Sequence, residues 1–204
     1  LRARNALLYR VFGRYFSDEV MTKIIDDPNG AIIGGDKVDM TVMLTDLRGF
    51  TAMSSTMDSD SLLKLLNHYF SRMVEIINSY SGTIIEFLGD GILAVFGSPI
   101  ITNNHAELAV TAALTMQNRM RQINEYCELN GYSHLSMGIG IHSGSAFIGN
   151  IGSEKVMRYN VIGRVVNECS RIESYSVGEQ VLVSEDTLKR IQCGYNKGEK
   201  YEVK

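Results

Sequence analysis

The sequence has few of the residues that define several protein classes. Its 204 residues include only three cysteines, two prolines and four histidines. Cys127, Cys169 and Cys193 are far apart and odd in number, which argues against a disulfide framework and against a site of paired metal-binding cysteines. The histidines include no pair at ligand spacing, which argues against a zinc site. This cysteine usage is typical of a reducing compartment, so we expect the chain to be cytoplasmic, either by itself or as the cytoplasmic part of a membrane-anchored protein.

Long apolar runs and a strong net charge are also missing. No run approaches 18 apolar residues and no secretory signal opens the chain, so we expect no membrane span. The formal net charge is −3, from 20 basic and 23 acidic residues. This balance argues against a nucleic-acid partner and against a polybasic membrane binder. The first residue is Leu1 rather than a methionine, and we therefore expect a piece of a longer protein.

Two regions of the chain differ in their patterns. Residues 1–25 have the apolar periodicity of a helix. Residues 26–36 are rich in Asp, Gly, Pro and Asn, which is typical of a linker. We therefore predict an N-terminal helix and linker over residues 1–36 and one main domain over residues 37–204.

The main domain is predicted to alternate strands and helices. Strands are predicted at 38–45, 83–88, 92–96, 136–142, 145–151, 180–183 and 200–203, with hairpin turns at Gly89-Asp90-Gly91 and at Ser143-Gly144. Helices are predicted at 59–80, 104–130, 164–174 and 185–191. This order predicts an α+β sandwich, in which helices cover one face of a mostly antiparallel sheet.

Two aspartates occur at the ends of predicted strands. Asp46 follows the first strand, and Asp90 lies in the first hairpin turn. If these strands are neighbours, the carboxylates converge and repel each other unless a cation lies between them. Two such carboxylates beside a phosphate-bearing substrate suit Mg²⁺, and paired metal ions are used in phosphoryl chemistry. The spacing alone equally allows an ordinary turn residue and a helix N-cap.

Four ordered segments resemble the class III nucleotidyl cyclases, in particular the bacterial guanylyl-cyclase-like type. They are LTDLRGFT at 44–51, FLGDGILAVFG at 87–97, GIGIHSG at 138–144, and GRVVNECSR at 163–171. The resemblance covers about residues 38–204. It implies a dimerising, ferredoxin-like βαββαβ sandwich of the class III cyclase type. It also implies the family's reaction, which converts a nucleoside triphosphate to a 3′,5′-cyclic monophosphate and pyrophosphate.

The resemblance implies roles for individual residues. Asp46 and Asp90 are expected to hold two divalent cations, Mg²⁺ or Mn²⁺, with the carbonyl of Leu47 completing the coordination. Asn167 is expected to orient the ribose, and Arg171 to stabilise charge on the α-phosphoryl group. Asn167 and Arg171 are four residues apart and hence on one helix face.

Other positions match the family less closely. For Arg171, the alternative to a catalytic role is an ordinary ion pair with Glu168 or Glu173 on a solvated helix. Phe50, Thr51 and Lys204 are expected to bind the triphosphate, although Lys204 is the last residue and an ordinary surface lysine is the alternative. Some family members carry an arginine where this chain has Gly138, so a phosphate contact is either missing or supplied by another residue.

The family arrangement also predicts a partner. Its metal-binding aspartates come from one protomer, and its base-reading residues, asparagine and arginine come from the other. We therefore expect a homodimer with two composite sites. Residues 1–25 resemble the helix that couples such domains to an upstream sensor or regulatory domain; a helix packed on its own domain is the alternative.

Two positions bear on the choice of base. Glu86 lies where guanylyl members usually have Glu and adenylyl members Lys, whereas Asn160 fits neither pattern. A carboxylate accepts hydrogen bonds from N1–H and N2–H₂ of guanine, but faces the N1 lone pair of adenine. We therefore predict a guanylyl cyclase that uses GTP. The alternatives are an adenylyl cyclase that uses ATP and an inactive nucleotide-binding regulatory domain; the Gly-Gly-acidic-acidic-Phe turn of diguanylate cyclases is absent.

Overall fold

Strands and helices alternate through the main domain of the computed structural model, which describes residues 20–21, 32–192, 194 and 198–200. The strands are β1 (Gly34–Leu47), β2 (Gly82–Leu88), β3 (Gly91–Phe96), β4 (Met137–Ser153), β5 (Val156–Ile162) and β6 (Val181–Val183). The helices are α1 (Phe50–Ser54), α2 (Ser59–Ser79), α3 (His105–Leu129), α4 (Arg164–Tyr175) and α5 (Glu185–Leu188). The order β1-α2-β2-β3-α3-β4 is the predicted βαββαβ arrangement.

The strands form one sheet around β1. Their order is β2-β3-β1-β4-β5, all neighbours are antiparallel, and β6 pairs with β4 in parallel. β1 pairs with β4 along its whole length, from Gly34 opposite Asn150 to Leu47 opposite Met137. The α+β class and the mostly antiparallel sheet are therefore confirmed.

Both faces of the sheet are covered. Met43 and Leu47 of β1 point into a core formed with α2 and α3. Val42 and Leu44 belong to a second core on the other face, formed with Val165 of α4. The prediction of helices on one face thus holds for α2 and α3, whereas α4 lies on the opposite face. A central strand that is apolar on both sides needs a cover on each.

The predicted hairpin at Ser143-Gly144 is wrong. β4 runs unbroken through this point, with Ser143 opposite Thr41 and Gly144 opposite Met40. The Ser143 hydroxyl is buried and lies 2.7 Å from the Thr41 hydroxyl, so a polar residue is satisfied inside the strand. The chain turns later, and β5, which the sequence did not predict, follows β4 as its antiparallel neighbour.

Some predictions fall where little of the chain is described. Of the predicted helix over 1–25, only Val20 and Met21 are described; both are helical and buried. Of the predicted strand over 200–203, only Lys200 is described, without regular structure. β1 begins at Gly34, within the predicted linker. In the described part of the chain, no helix has the length and apolarity needed to cross a membrane.

Two leucines of α2 provide a test of this packing. Leu65 is fully buried in the core shared with α3, whereas Leu63 is 59% exposed. We expect Leu65→Ala to lower the free energy of unfolding by about 2–5 kcal/mol, because it leaves a cavity. The matched change Leu63→Ala should alter it by about 0.5 kcal/mol or less. Urea unfolding at a fixed protein concentration measures both, and equal losses would contradict the assignment of this helix face.

Candidate active site

The structure brings the two predicted metal-binding aspartates together at the end of β1. A side chain at Gly91 would place its Cβ 2.3 Å from the carbonyl oxygen of Thr45, so only glycine lets β3 begin this close to β1. The β2–β3 turn consequently lies against the last residues of β1. The backbone N–H of Leu47 donates to Oδ2 of Asp90 at 3.0 Å, which fixes the Asp90 carboxylate beside Asp46.

The electrostatics of Asp46 indicate a site that favours a cation. Burial and the neighbouring charge of Asp90 raise the pKa of Asp46 above its ordinary value, although Arg48 opposes them. A carboxylate crowded by another carboxylate is stabilised in its charged form by a positive ion between the two.

The donor set at this end of the sheet fits Mg²⁺ or Mn²⁺. Within the described ranges, no group of three or more His, Cys, Asp and Glu side chains could enclose a metal ion by itself. Two carboxylates, together with the predicted Leu47 carbonyl, would form an incomplete set of oxygen ligands. Mg²⁺ is commonly bound in this way, by one or two carboxylates together with substrate phosphates and water.

Arg48 is a residue of the site that the sequence analysis did not single out. Its Nη1 donates to Oδ2 of Asp46 at 2.8 Å. Its Nη2 lies within hydrogen-bond distance of three oxygens, namely Oε1 and the carbonyl of Glu173 at 2.5 and 2.9 Å and the hydroxyl of Ser176 at 2.6 Å. A Cβ at Gly138 would lie 2.3 Å from Nη2, so the guanidinium occupies the space above that glycine. The glycine at position 138 was the feature of the sequence that could have revealed this role of Arg48, because a larger side chain there would leave no room for the guanidinium.

The residues predicted to bind the triphosphate are only partly described. The side chain of Phe50 is buried in the core beneath the acidic end, so its backbone is the part that faces a ligand. Thr51 is exposed in the first turn of α1, the helix that begins directly after Gly49. Lys204 lies outside the described residues.

Helix α4 presents Asn167 and Arg171 to solvent. Val165 and Cys169 form its buried face, and the Cys169 thiol lies 3.3 Å from the backbone carbonyl oxygens of Val42 and Gly140. Asn167 and Arg171 are both exposed on the other face. Their side chains make no hydrogen bond or ion pair with any residue that the structure describes, including Asp46 and Asp90.

The surface partners considered for Arg171 are engaged elsewhere. Glu168 accepts hydrogen bonds from Arg164 at 2.7 Å and pairs with His142 at 2.9 Å. Burial alone would raise the pKa of Glu168, but these hydrogen bonds lower it. Glu173 is held by Arg48. The guanidinium of Arg171 therefore has no internal partner in the described part of the molecule.

Arg158 links Glu86 to β5, the strand that carries Asn160. Glu86 accepts a hydrogen bond from Nη1 of Arg158 at 3.1 Å, and Arg158 is two residues before Asn160 on β5, hence on the same side of the strand. Oδ1 of Asn160 accepts from the backbone N–H of Val161 at 2.7 Å. That bond uses one lone pair of Oδ1, and the amide nitrogen of Asn160 makes no hydrogen bond with the part of the chain that the structure describes. Arg158 was missed because β5 itself was not predicted.

Comparison with known proteins gives consistent matches. The family model described as "Adenylate and Guanylate cyclase catalytic domain" matches residues 35–204. The chain is 30% identical over 185 residues to Adenylate cyclase 1 of Rhizobium meliloti, covering 90% of this chain and 28% of that protein. It is 31% identical over 160 residues to an adenylate cyclase of Anabaena cylindrica, covering 76% and 31%. The chain thus spans less than a third of the length of these relatives.

Solved structures with the same fold carry both kinds of name. The guanylyl cyclase Cya2 is 43% identical, with a TM-score of 0.75, and the match covers 78% of this chain and 80% of that chain. The adenylyl cyclase CyaB from P. aeruginosa is 33% identical, with a TM-score of 0.76 and coverage of 78% and 83%.

The raised pKa of Asp46 predicts how its removal affects stability. A carboxyl whose pKa is higher in the folded than in the unfolded state destabilises the fold at neutral pH, and this effect disappears as the pH falls through the folded pKa. We expect Asp46→Asn to raise the free energy of unfolding at pH 7 without divalent cations, and this gain to shrink as the pH is lowered. Urea unfolding in EDTA measures this, with the exposed Glu75→Gln as control. A loss of stability at pH 7 would contradict it.

Proposed function

The chain belongs to the family of adenylate and guanylate cyclase catalytic domains, and on that premise we propose that it converts GTP to 3′,5′-cyclic GMP and pyrophosphate in composite sites of a homodimer. The observation that carries the proposal is the convergence of Asp46 and Asp90 at the end of β1, beside a helix that exposes Asn167 and Arg171, whose side chains have no partner among the residues described. We further propose a cytoplasmic location and an upstream sensor or regulatory domain in the longer protein.

The reaction assigns a task to each residue. Asp46, Asp90 and the carbonyl of Leu47 would hold two divalent cations, Mg²⁺ or Mn²⁺, whose charge, when they are bound, activates the ribose 3′-hydroxyl and neutralises the triphosphate. That hydroxyl attacks the α-phosphorus in line, and the bond to the pyrophosphate oxygen breaks. Asn167 orients the ribose, and the planar guanidinium of Arg171 stabilises the charge that develops on the α-phosphoryl oxygens.

The triphosphate would extend from this point over the start of α1. The backbone of Phe50 and the exposed Thr51 are the groups available there, and Lys204 is proposed as a further contact to the terminal phosphates. Gly49, directly before Phe50, has a positive φ, and backbone N–H groups in such a turn after a strand can approach phosphate oxygens closely.

Two protomers are needed to complete one site. Within one chain, Asn167 and Arg171 contact neither Asp46 nor Asp90 among the residues described. A second copy related by twofold symmetry can supply its α4 to the acidic end of the first, and the same operation then completes the second site. Cyclase domains of this family act as dimers, which supports this arrangement.

The choice of GTP rests on Glu86 and Asn160. Glu86 is an acceptor that suits N1–H and N2–H₂ of guanine, and its exposed pair with Arg158 contributes only about 0–1 kcal/mol, so a base can displace it. The oxygen of Asn160 accepts from the backbone, and its amide nitrogen remains available as a donor, which suits O6 of guanine. Adenine would leave polar groups unpaired, at a cost of roughly 1–3 kcal/mol. ATP is the alternative substrate, because several relatives are named adenylyl cyclases.

Complementation tests the composite sites. We expect Asp46→Ala and Arg171→Ala to be nearly inactive alone, since loss of a transition-state arginine costs about 10³–10⁵ in rate. An equal mixture that exchanges subunits should regain about a quarter of the wild-type rate, because half of the twofold dimers carry one intact site. Arg72→Ala, on the exposed face of α2, is the active control. Mixed dimers that form but stay inactive would contradict composite sites.

A charge reversal tests the reading of the base. Glu86→Lys replaces the acceptor by a donor, so we expect the ratio of GTP to ATP turnover to fall by about tenfold or more, since each 1.4 kcal/mol changes an equilibrium tenfold. Glu125→Lys, a reversal at an exposed position of α3, should leave the ratio unchanged. Steady-state rates of cyclic GMP and cyclic AMP formation give the ratio. An unaltered preference in Glu86→Lys would overturn the assignment of Glu86.

A further inference from the structure

We propose that Arg48 is a positioning residue that ties Asp46 to helix α4 of the same chain, and that it thereby couples the two composite sites of the dimer. The inference rests on the proposed function, because it takes Asp46 and α4 to serve different sites. It adds a residue and a link between sites to that function.

The hydrogen bonds of Arg48 join two separate parts of the fold. Nη1 binds Asp46 two residues earlier, at the end of β1. Nη2 binds the side chain and the carbonyl of Glu173 and the hydroxyl of Ser176, all at the C-terminal end of α4 and its cap. One planar guanidinium thus spans from a proposed metal ligand to the helix that carries Asn167 and Arg171. Only an arginine presents donors in such a fork.

The position of Arg48 is determined by its surroundings. The backbone N–H of Arg48 donates to the carbonyl of Ser136 at 2.7 Å, and Gly138 leaves room for the guanidinium. Nε is buried and has no partner among the described atoms. An unsatisfied buried donor destabilises the fold. The hydrogen bonds of Nη1 and Nη2 hold the side chain in place although Nε stays unpaired. This is expected of a side chain whose role is to connect two parts of the fold.

Helix α4 has an anchor that does not involve Arg48. Cys169 and Val165 pack in the second core, and the Cys169 thiol lies against the backbone of β1 and β4. Removal of Arg48 should therefore leave α4 attached to the sheet, while freeing its C-terminal end and the Asp46 carboxylate from each other. A change at Arg48 tests the link separately from the fold.

In the proposed dimer, the link through Arg48 joins residues that belong to two different composite sites. Asp46 of one chain serves one composite site, and Arg171 of the same chain, two residues before Glu173, serves the other. A nucleotide that binds Arg171 in one site displaces α4 of that chain. The hydrogen bonds through Glu173 and Arg48 then transmit this displacement to Asp46, which serves the other site. Occupation of one site therefore changes the metal affinity of the second.

A Mn²⁺ titration separates positioning from simple charge. Arg48→Gln removes a positive charge beside the proposed metal site, so charge alone predicts tighter Mn²⁺ binding. Positioning predicts binding about tenfold weaker, which is typical when a partner of a metal ligand is lost. Calorimetric titration of the purified protein with MnCl₂ gives the affinity without any need for activity, and Glu75→Gln is the control. Unchanged or tighter binding would overturn the proposal.

A conservative variant tests the same proposal if Arg48→Gln does not fold. Arg48→Lys keeps the charge but cannot reach Asp46 and Glu173 together, so we expect it to weaken Mn²⁺ binding as well. Urea unfolding identifies which variants fold. Wild-type affinity in a folded Arg48→Lys variant would show that only the charge matters, and would overturn the positioning role.

Heterodimers with one working site test the coupling. One chain carries Asp90→Ala and supplies α4, while the other carries Arg171→Ala and supplies Asp46. Arg48→Gln in the Arg171→Ala chain should raise the Mn²⁺ concentration for half-maximal rate, and in the Asp90→Ala chain it should lower kcat. No effect in the Asp90→Ala chain would overturn the coupling. Failure of the parent heterodimer itself would overturn the composite sites and the coupling with them, while the Mn²⁺ titration still decides the role of Arg48.

Discussion

The pairing of β1 with both β3 and β4 is the constraint on which the site depends. β1 is apolar on both faces, so its register is fixed by two cores at once, and a slip of one residue would turn every side chain to the opposite face. Its last residues then have only one possible location, beside the β2–β3 turn. Asp46 and Asp90 converge because the central strand ends there, and the short contact at Gly91 lets the turn approach.

The negative charge at this edge of the sheet is only partly neutralised. Arg48 pairs with the carboxylates of Asp46 and Glu173, and Asp90 adds a third carboxylate beside Asp46. Burial raises the pKa of Glu173, and Arg48 opposes that rise. The excess of negative charge favours cations and a substrate that arrives with them, whereas a fully paired cluster would not. The same arginine also connects the acidic end to α4, so electrostatics and geometry of the two half-sites depend on one side chain.

The sequence predicted those features that follow from local pattern. The long amphipathic helices, the tight hairpin at Asp90 and the helix with Asn167 and Arg171 were all evident from periodicity and turn residues. The continuous β4 was not, because Ser143 and Gly144 have the composition of a turn, and the buried hydroxyls of Thr41 and Thr187 satisfy the serine inside the strand. Arg48 was missed for a related reason: its partners Glu173 and Ser176 lie more than a hundred residues away.

The central claim is that this family member forms a cyclic nucleotide and prefers guanine. The most direct test is to assay the purified protein with GTP and with ATP side by side, in Mn²⁺ and in Mg²⁺. The account predicts cyclic GMP formation well above cyclic AMP formation, because Glu86 and the amide nitrogen of Asn160 together match the guanine edge. Cyclic AMP in excess would contradict the reading of the base, and the absence of both products from a dimeric, metal-loaded protein would contradict the proposed activity itself.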